Sequence, residues 1–150
     1  MAVMQGRSIA AVLTLLQEYD KIPYIHSIGI PRHFITTIAP DARLKIAKEI
    51  QRRYPNRYGI HLLGLNPEYI NEPALHVSYG VHVRSVDTSA PFNYARYGLV
   101  ISPKHKIPRA PDWNTYQWDA GEKLLVEHNI KLLRAWCKGG ALPLAEASTG

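Results

Sequence analysis

The chain has 150 residues, a net charge of +6 and one cysteine, with 46% hydrophobic and 20% charged residues, a balance that excludes a wholly disordered chain and supports one domain with its own core. Cys137 alone excludes an intrachain disulfide and a zinc site of several thiolates. No apolar run approaches the roughly 20 residues of a membrane span, and the N-terminus lacks the charged-then-apolar layout of a signal peptide, so a reducing, cytoplasmic setting is expected. The positive charge leans towards a polyanionic partner such as nucleic acid. It is spread along the chain, as at Arg52 and Arg53 and in residues 104–109, which read as an exposed loop, either a solvated surface or a phosphate-facing lid.

A short apolar run over residues 2–5 opens the chain and closes at Gly6. Ile9, Val12, Leu13, Leu15 and Leu16 then recur at helical spacing, with Ser8 as N-cap, and predict a helix to Tyr19. Residues 24–30 (YIHSIGI) read as a buried strand ended by Pro31, and a loop follows. Asp41 opens a second helix, marked by Ile46, Ala47, Ile50 and Tyr54 and stopped by Pro55 and Asn56. Residues 58–65 (YGIHLLGL) form the next predicted strand, and residues 66–75 a short helical or irregular stretch. After Gly80 the β-branched residues from Val81 predict a strand that runs into Asp87 and leaves through a Thr-Ser-Ala-Pro turn. A long helix, capped by Asp112 or Asn114, is expected to about Lys138, with Leu124, Leu125, Leu132, Leu133 and Trp136 inward and Gly139 as its C-cap.

Strands separated by helices predict an α/β fold with parallel pairing and right-handed crossovers. Four such units in 150 residues amount to half of a TIM-type (βα)8 barrel, which takes typically about 250 residues. The expected organisation is a parallel (βα)4 half-barrel over residues 1–140 with a disordered tail at 141–150. A strand starting at residue 2 reads as a cut through a longer barrel.

Four strand-end motifs stand in order along the chain: VMQG ending at Gly6, SIGIPR ending at Arg32, IHLLGLNPEYI ending at Ile70, and VDTSAPFNYARYG ending at Gly98. Together they resemble the C-terminal half of the tRNA-guanine transglycosylase family, including its DNA-modifying and phage-borne relatives. The corresponding family pieces are a Val-Gln-Gly strand end, a Gly-Gly turn, a Leu-Met-Gly-Val-Gly strand and a Phe-Asp-Cys-Val-x-Pro-Thr-Arg-x-x-Arg-x-Gly segment. The spacing of Asp87, Pro91, Arg96 and Gly98 fits the last piece without a gap, and the likeness covers about two-thirds of the chain.

The resemblance implies exchange of guanine for a 7-deazaguanine base in tRNA or DNA, without a cofactor. It places Asp87 on the nucleophile that forms a glycosyl ester, and Gln5 on the glutamine that hydrogen-bonds the base. Gly29 and Ile30 fall on paired glycines approaching the base, Leu63 on a methionine packing on its face, and Arg96 on a substrate-side arginine. A carboxylate that displaces a base and is displaced in turn is sound glycosyl-transfer chemistry. The chain departs from the pattern at Ile30, at Asn93 in place of an arginine, and in having no counterpart to the family's three-cysteine, one-histidine zinc site. The family's acid/base aspartate belongs to the other barrel half, so a partner half or a second copy is expected to complete the site.

Asp87 has an alternative reading as a strand-end carboxylate capping the turn at Thr88 and Ser89, and the whole chain as a non-catalytic barrel fragment or assembly module. Gln5 also reads as a satisfied polar group in the barrel mouth, and Ile30 and Leu63 as core. Strand alternation puts Val83 and Ser85 on the face of Asp87, and His82 and Arg84 on the other. His61 shares parity with Leu63 and is expected to point inward with His26, as hydrogen-bonded core; no metal site is expected.

Overall fold

Short β-branched stretches alternate with segments whose apolar residues recur every three or four positions, and this alternation fixes the architecture. The computed structural model describes residues 1–65, 70–103, 105, 107 and 116–140. The elements are β1 (Ala2–Val3), α1 (Ile9–Asp20), β2 (Ser27–Pro31), α2 (Phe34–Thr37), α3 (Ala42–Arg53), β3 (Gly59–Leu63), α4 (Glu72–Ser78), β4 (Val83–Val86), α5 (Ala90–Arg96) and α6 (Ala120–Cys137). The four strands form one all-parallel sheet in the order β1-β2-β3-β4. The fold is therefore α/β, with helices between successive parallel strands. Among the described residues, no helix is long and apolar enough to cross a membrane.

One sheet face carries Ile28, Ile30, Ile60, Leu62 and Val83. They are buried in one cluster with Val12 and Leu16 of α1, Ile46 and Ile50 of α3, and Leu133 and Trp136 of α6. The other face carries Ser27, Gly29, Gly59, His61 and Leu63 in register. There Arg84 and Ser85 are exposed and His61 and Leu63 half-buried, so this face is the open one.

A register shift sits between β3 and β4: Ile60 pairs with Val83, but His61 pairs with Ser85. Arg84 is the extra residue, and such a bulge breaks strict alternation. Its side chain lies on the open face, where Nη1 donates to Ser27 Oγ at 3.3 Å. A Cβ on Gly59 would stand 2.4 Å from Arg84 Cδ, so only glycine fits beneath it. The expected placements of Val83 and Arg84 are thus exchanged: Val83 joins the core and Arg84 the open face. Ser85 and Asp87, beyond the bulge, keep the expected face.

Other boundaries also differ. The second strand begins at Ser27, not Tyr24, which stands exposed in the preceding turn. Two short helices, α2 and α5, occupy stretches that read as loop and turn, because four and seven residues are too few to display a helical period. In α5, Thr88 Oγ1 accepts the Ala90 N–H, and Pro91 occupies the first turn, where its missing N–H costs nothing. The last helix starts at Ala120 behind a capping box of Asp119 and Glu122; the expected caps Asp112 and Asn114 lie outside the described residues, as does the expected tail at 141–150. Its inward stripe is Val126, Asn129, Leu133 and Trp136, and Leu124, about 200° around the helix from Val126, is 67% exposed. The helix ends at Gly139 as expected, with the paired bonds of a Schellman motif from Gly139 N–H to Trp136 O and Gly140 N–H to Ala135 O.

Asn129 ties α6 to the chain leaving α5. Its Oδ1 accepts the Ile101 N–H at 2.9 Å, and its Nδ2 donates to Pro91 O and Leu99 O, each at 3.2 Å. Asn129→Leu keeps the volume and leaves three backbone groups without their partner, so we expect a loss of about 2–5 kcal/mol in urea unfolding. A loss below about 1 kcal/mol would mean that those groups find water instead.

Candidate active site

In parallel α/β sheets ligands bind beyond the carboxyl ends of the strands. Here those ends of β2, β3 and β4 meet in a cleft of about 560 Å³. Arg32 and His33 line it after β2, Leu63 and Gly64 at the end of β3, Asp87 after β4, and Asn93 and Tyr94 from α5. Tyr94 is fully buried, and its hydroxyl lies 2.9 Å from Ser102 O and 2.6 Å from His105 O, so it packs the wall and offers no free ring face.

Asp87 is held from the neighbouring strand. Gly64 N–H donates to its Oδ1 at 2.6 Å, and His61 Nε2 lies 3.2 Å from the same oxygen. Its side chain is nevertheless 62% exposed, and among the described residues Oδ2 takes no hydrogen bond. The turn that follows is capped by Thr88, not by Asp87. The capping alternative therefore fails on geometry: this carboxylate is aimed across β3, not at its own turn.

Two backbone features make that possible. Gly64 has φ +68°, a left-handed conformation that turns the chain out of β3 and that a side chain would strain. Asp87 N–H continues the ladder to Leu62 O at 3.4 Å, which keeps its Cα in register with β3. His61 is itself oriented, since its Nδ1 lies 2.7 Å from Ser85 Oγ. A carboxylate only accepts, so the proton sits on Nε2, and Nδ1 accepts from the Ser85 hydroxyl.

Beneath the cleft, Gly64 O accepts from Arg43 Nη1 at 2.8 Å, and the same nitrogen lies 3.0 Å from Glu72 Oε2. Arg43 is 1% exposed and Glu72 is also buried. Burial pushes the guanidinium down and the carboxyl up from their ordinary values, and the charge of each opposes the shift of the other. The charge of Asp87 also favours the protonated Arg43.

The remaining expected site residues are only partly gathered. Leu63 lines the cleft, and Gly29 lies on the same open face, directly paired with His61. Ile30 is fully buried in the core on the opposite face. Gln5 stands exposed after β1 and does not line this cleft. Arg96 closes α5 with its guanidinium 4.1 Å from the Tyr116 ring centroid, also away from the cleft. His26 precedes β2 and is exposed, so it does not join His61 on the open face. Among the described residues, no three His, Cys, Asp or Glu side chains gather as a metal site.

Gly64, Arg43 and Glu72 enter the site only through the structure. The pairing of His61 and Ser85 had a signal in the sequence, since each lies two residues before an inward position on a predicted strand. Comparison with family models, with curated proteins and with solved structures finds no match to this chain.

The hydrogen-bond order predicts the imidazole tautomer. In ¹⁵N-detected spectra near neutral pH, His61 is expected as the Nε2–H form. Asp87→Ala should admit the Nδ1–H form, whereas a ring already mixed in the native protein would contradict the assignment.

Proposed function

We propose that this chain is a half-barrel transglycosylase unit in which Asp87 exchanges the base of a guanine nucleotide in tRNA or DNA for a 7-deazaguanine base. The carrying observation is a carboxylate at a strand end with one oxygen doubly held and the other open to a cleft. The ordered motifs from VMQG to VDTSAPFNYARYG support the same reading, and so does the +6 charge with Arg32 and His33 beside the cleft.

In the first step Oδ2 attacks the ribose anomeric carbon, the glycosidic C–N bond breaks, and guanine leaves with the electron pair on nitrogen and takes up a proton. Oδ2 becomes the bridging ester oxygen. Oδ1 becomes the ester carbonyl and keeps its donors, Gly64 N–H and His61 Nε2–H. In the second step the incoming base, giving up a proton, attacks the same carbon and expels Asp87 as a carboxylate, whose charge those two donors stabilise. Exchange through one covalent ester retains configuration. The group that carries the proton between the two bases comes from a second barrel half.

The sequential strand order and the open, partly polar sheet face support the half-barrel part of this reading, because all-parallel sheets ordinarily have both faces covered. Edge strands β1 and β4 each leave a ladder side to pair with a second copy or a partner half. The position of Gln5 and Arg96 away from the cleft favours the other reading, a non-catalytic interaction module built on the same fold.

Incubation with labelled guanine and tRNA or duplex DNA, with and without a candidate partner half, separates the two. Base exchange should incorporate label, and Asp87→Asn should lower the rate by about a thousandfold or more. Label that persists in the variant, or fails to appear even with the partner, removes the nucleophile assignment. For assembly, light scattering on a sizing column should return more than the 16.9 kDa of one chain. A well-folded monomer at low concentration would refute the pairing.

A further inference from the structure

A buried ion pair is costly, and apolar residues of similar size often serve stability as well or better. Arg43 and Glu72 are such a pair, 29 positions apart, joining α3 to the first turn of α4. The pair is not even fully satisfied. Among the described residues, Arg43 Nε and Nη2 and the neighbouring His76 Nε2 are buried without a hydrogen-bond partner. A stabilising role alone is a poor account of an arrangement that leaves three polar atoms uncompensated.

What Arg43 does reach is the Gly64 carbonyl, at 2.8 Å. Gly64, at the β3 exit, is in the left-handed region, and its N–H makes the 2.6 Å bond to Asp87. Glycine is the residue freest to rotate. The Leu63–Gly64 peptide that carries this N–H is held at its carbonyl, where Arg32 N–H donates to Leu63 O at 2.9 Å, and the Gly64–Leu65 peptide beyond it needs a restraint of its own. Nothing about the glycine itself supplies one: a Cβ at Gly64 would meet only ordinary contacts with Arg32, so the turn is not held by crowding. Glu72 accepts from the same Nη1 and fixes where the guanidinium sits, while His76 Nδ1 lies 2.9 Å from Glu72 O within α4.

We infer that Arg43 and Glu72 are positioning residues for Asp87: they fix the Gly64–Leu65 peptide, and through the backbone torsions of Gly64 they restrain the Leu63–Gly64 peptide whose N–H holds Oδ1 and keeps Oδ2 turned to the cleft. This rests on the reading of Asp87 as the working carboxylate. The pair touches neither substrate nor the reacting atoms, and it acts through Gly64 alone.

The test compares the wild type with the Arg43→Met/Glu72→Leu double variant, in which apolar side chains replace the pair and the fold is expected to survive. In the resting protein, the Gly64 amide proton should move upfield and exchange with solvent at least tenfold faster. Base exchange should fall at least tenfold in kcat, with KM for the nucleic acid unchanged, which distinguishes lost positioning from lost binding. Glu72→Gln keeps an acceptor oxygen and should leave the Gly64 amide at its wild-type position. If the double variant does not fold, Arg43→Lys carries the test, because its shorter, unforked head loses the carbonyl and should give the same amide response. An unchanged Gly64 amide in a folded variant overturns the inference, and so does an altered amide with wild-type kcat. If the wild type exchanges no base at all, the reading of the reaction fails, and the inference is then decided by the amide response alone.

Discussion

The bond from Gly64 N–H to Asp87 Oδ1 joins the ends of two adjacent parallel strands just where the ladder stops. A backbone donor at the last pleat of β3 cannot reach a side chain on β4 unless the chain turns away there, and the left-handed Gly64 makes that turn. The same oxygen then has room for His61, which rises from the open face three residues before Gly64. Everything else about the site follows from satisfying one carboxylate oxygen twice from β3. The second oxygen is left without a partner among the described residues, and it is the more nucleophilic for it, since each hydrogen bond withdraws charge from the atom that accepts it.

The bulge at Arg84 is the less visible condition for this arrangement. With strict alternation from Val83, Ser85 and Val83 would share a face, and Ile60 would lose the apolar neighbour that its register now supplies. The extra residue lets Val83 complete the core while Ser85 and Asp87 remain on the side of His61. One residue is thus left over, and it is an arginine whose charge stays in solvent while its stem covers Gly59. A bulge is a recurrent way for a strand to re-aim a side chain without disturbing the core behind it.

These details explain how far residues alone carry the argument. The β-branched runs of β2, β3 and β4 and the apolar periods of α1 and α3 predict their elements because each is long enough to show its repeat. Ser8 as the cap of α1 is legible for the same local reason, and the structure has its side chain accepting the Ala11 N–H. In α6 the period alone mistook the inward stripe at Leu124, since several leucines in succession fit more than one stripe and only the packing against α4, α5 and β4 chooses. The bulge leaves no mark in composition. The pairing of Arg43 with Glu72 is invisible because a salt bridge across 29 positions depends on how two helices dock, which no local pattern states.

The cleft also shows why a strand-end aspartate has so many uses and why this one is narrowed. An aspartate in a turn ordinarily satisfies itself on the amides that follow it. At this turn a threonine takes that work, which frees Asp87 from its own backbone and leaves β3 to hold it. The holding groups are a peptide N–H and an imidazole, and the buried Arg43 guanidinium, whose protonated form the charge of Asp87 favours, is already engaged by Glu72. Asp87 is instead oriented from β3 by a peptide N–H and an imidazole, with one oxygen unheld among the described residues, which is the arrangement that the proposed attack on carbon and later departure would use.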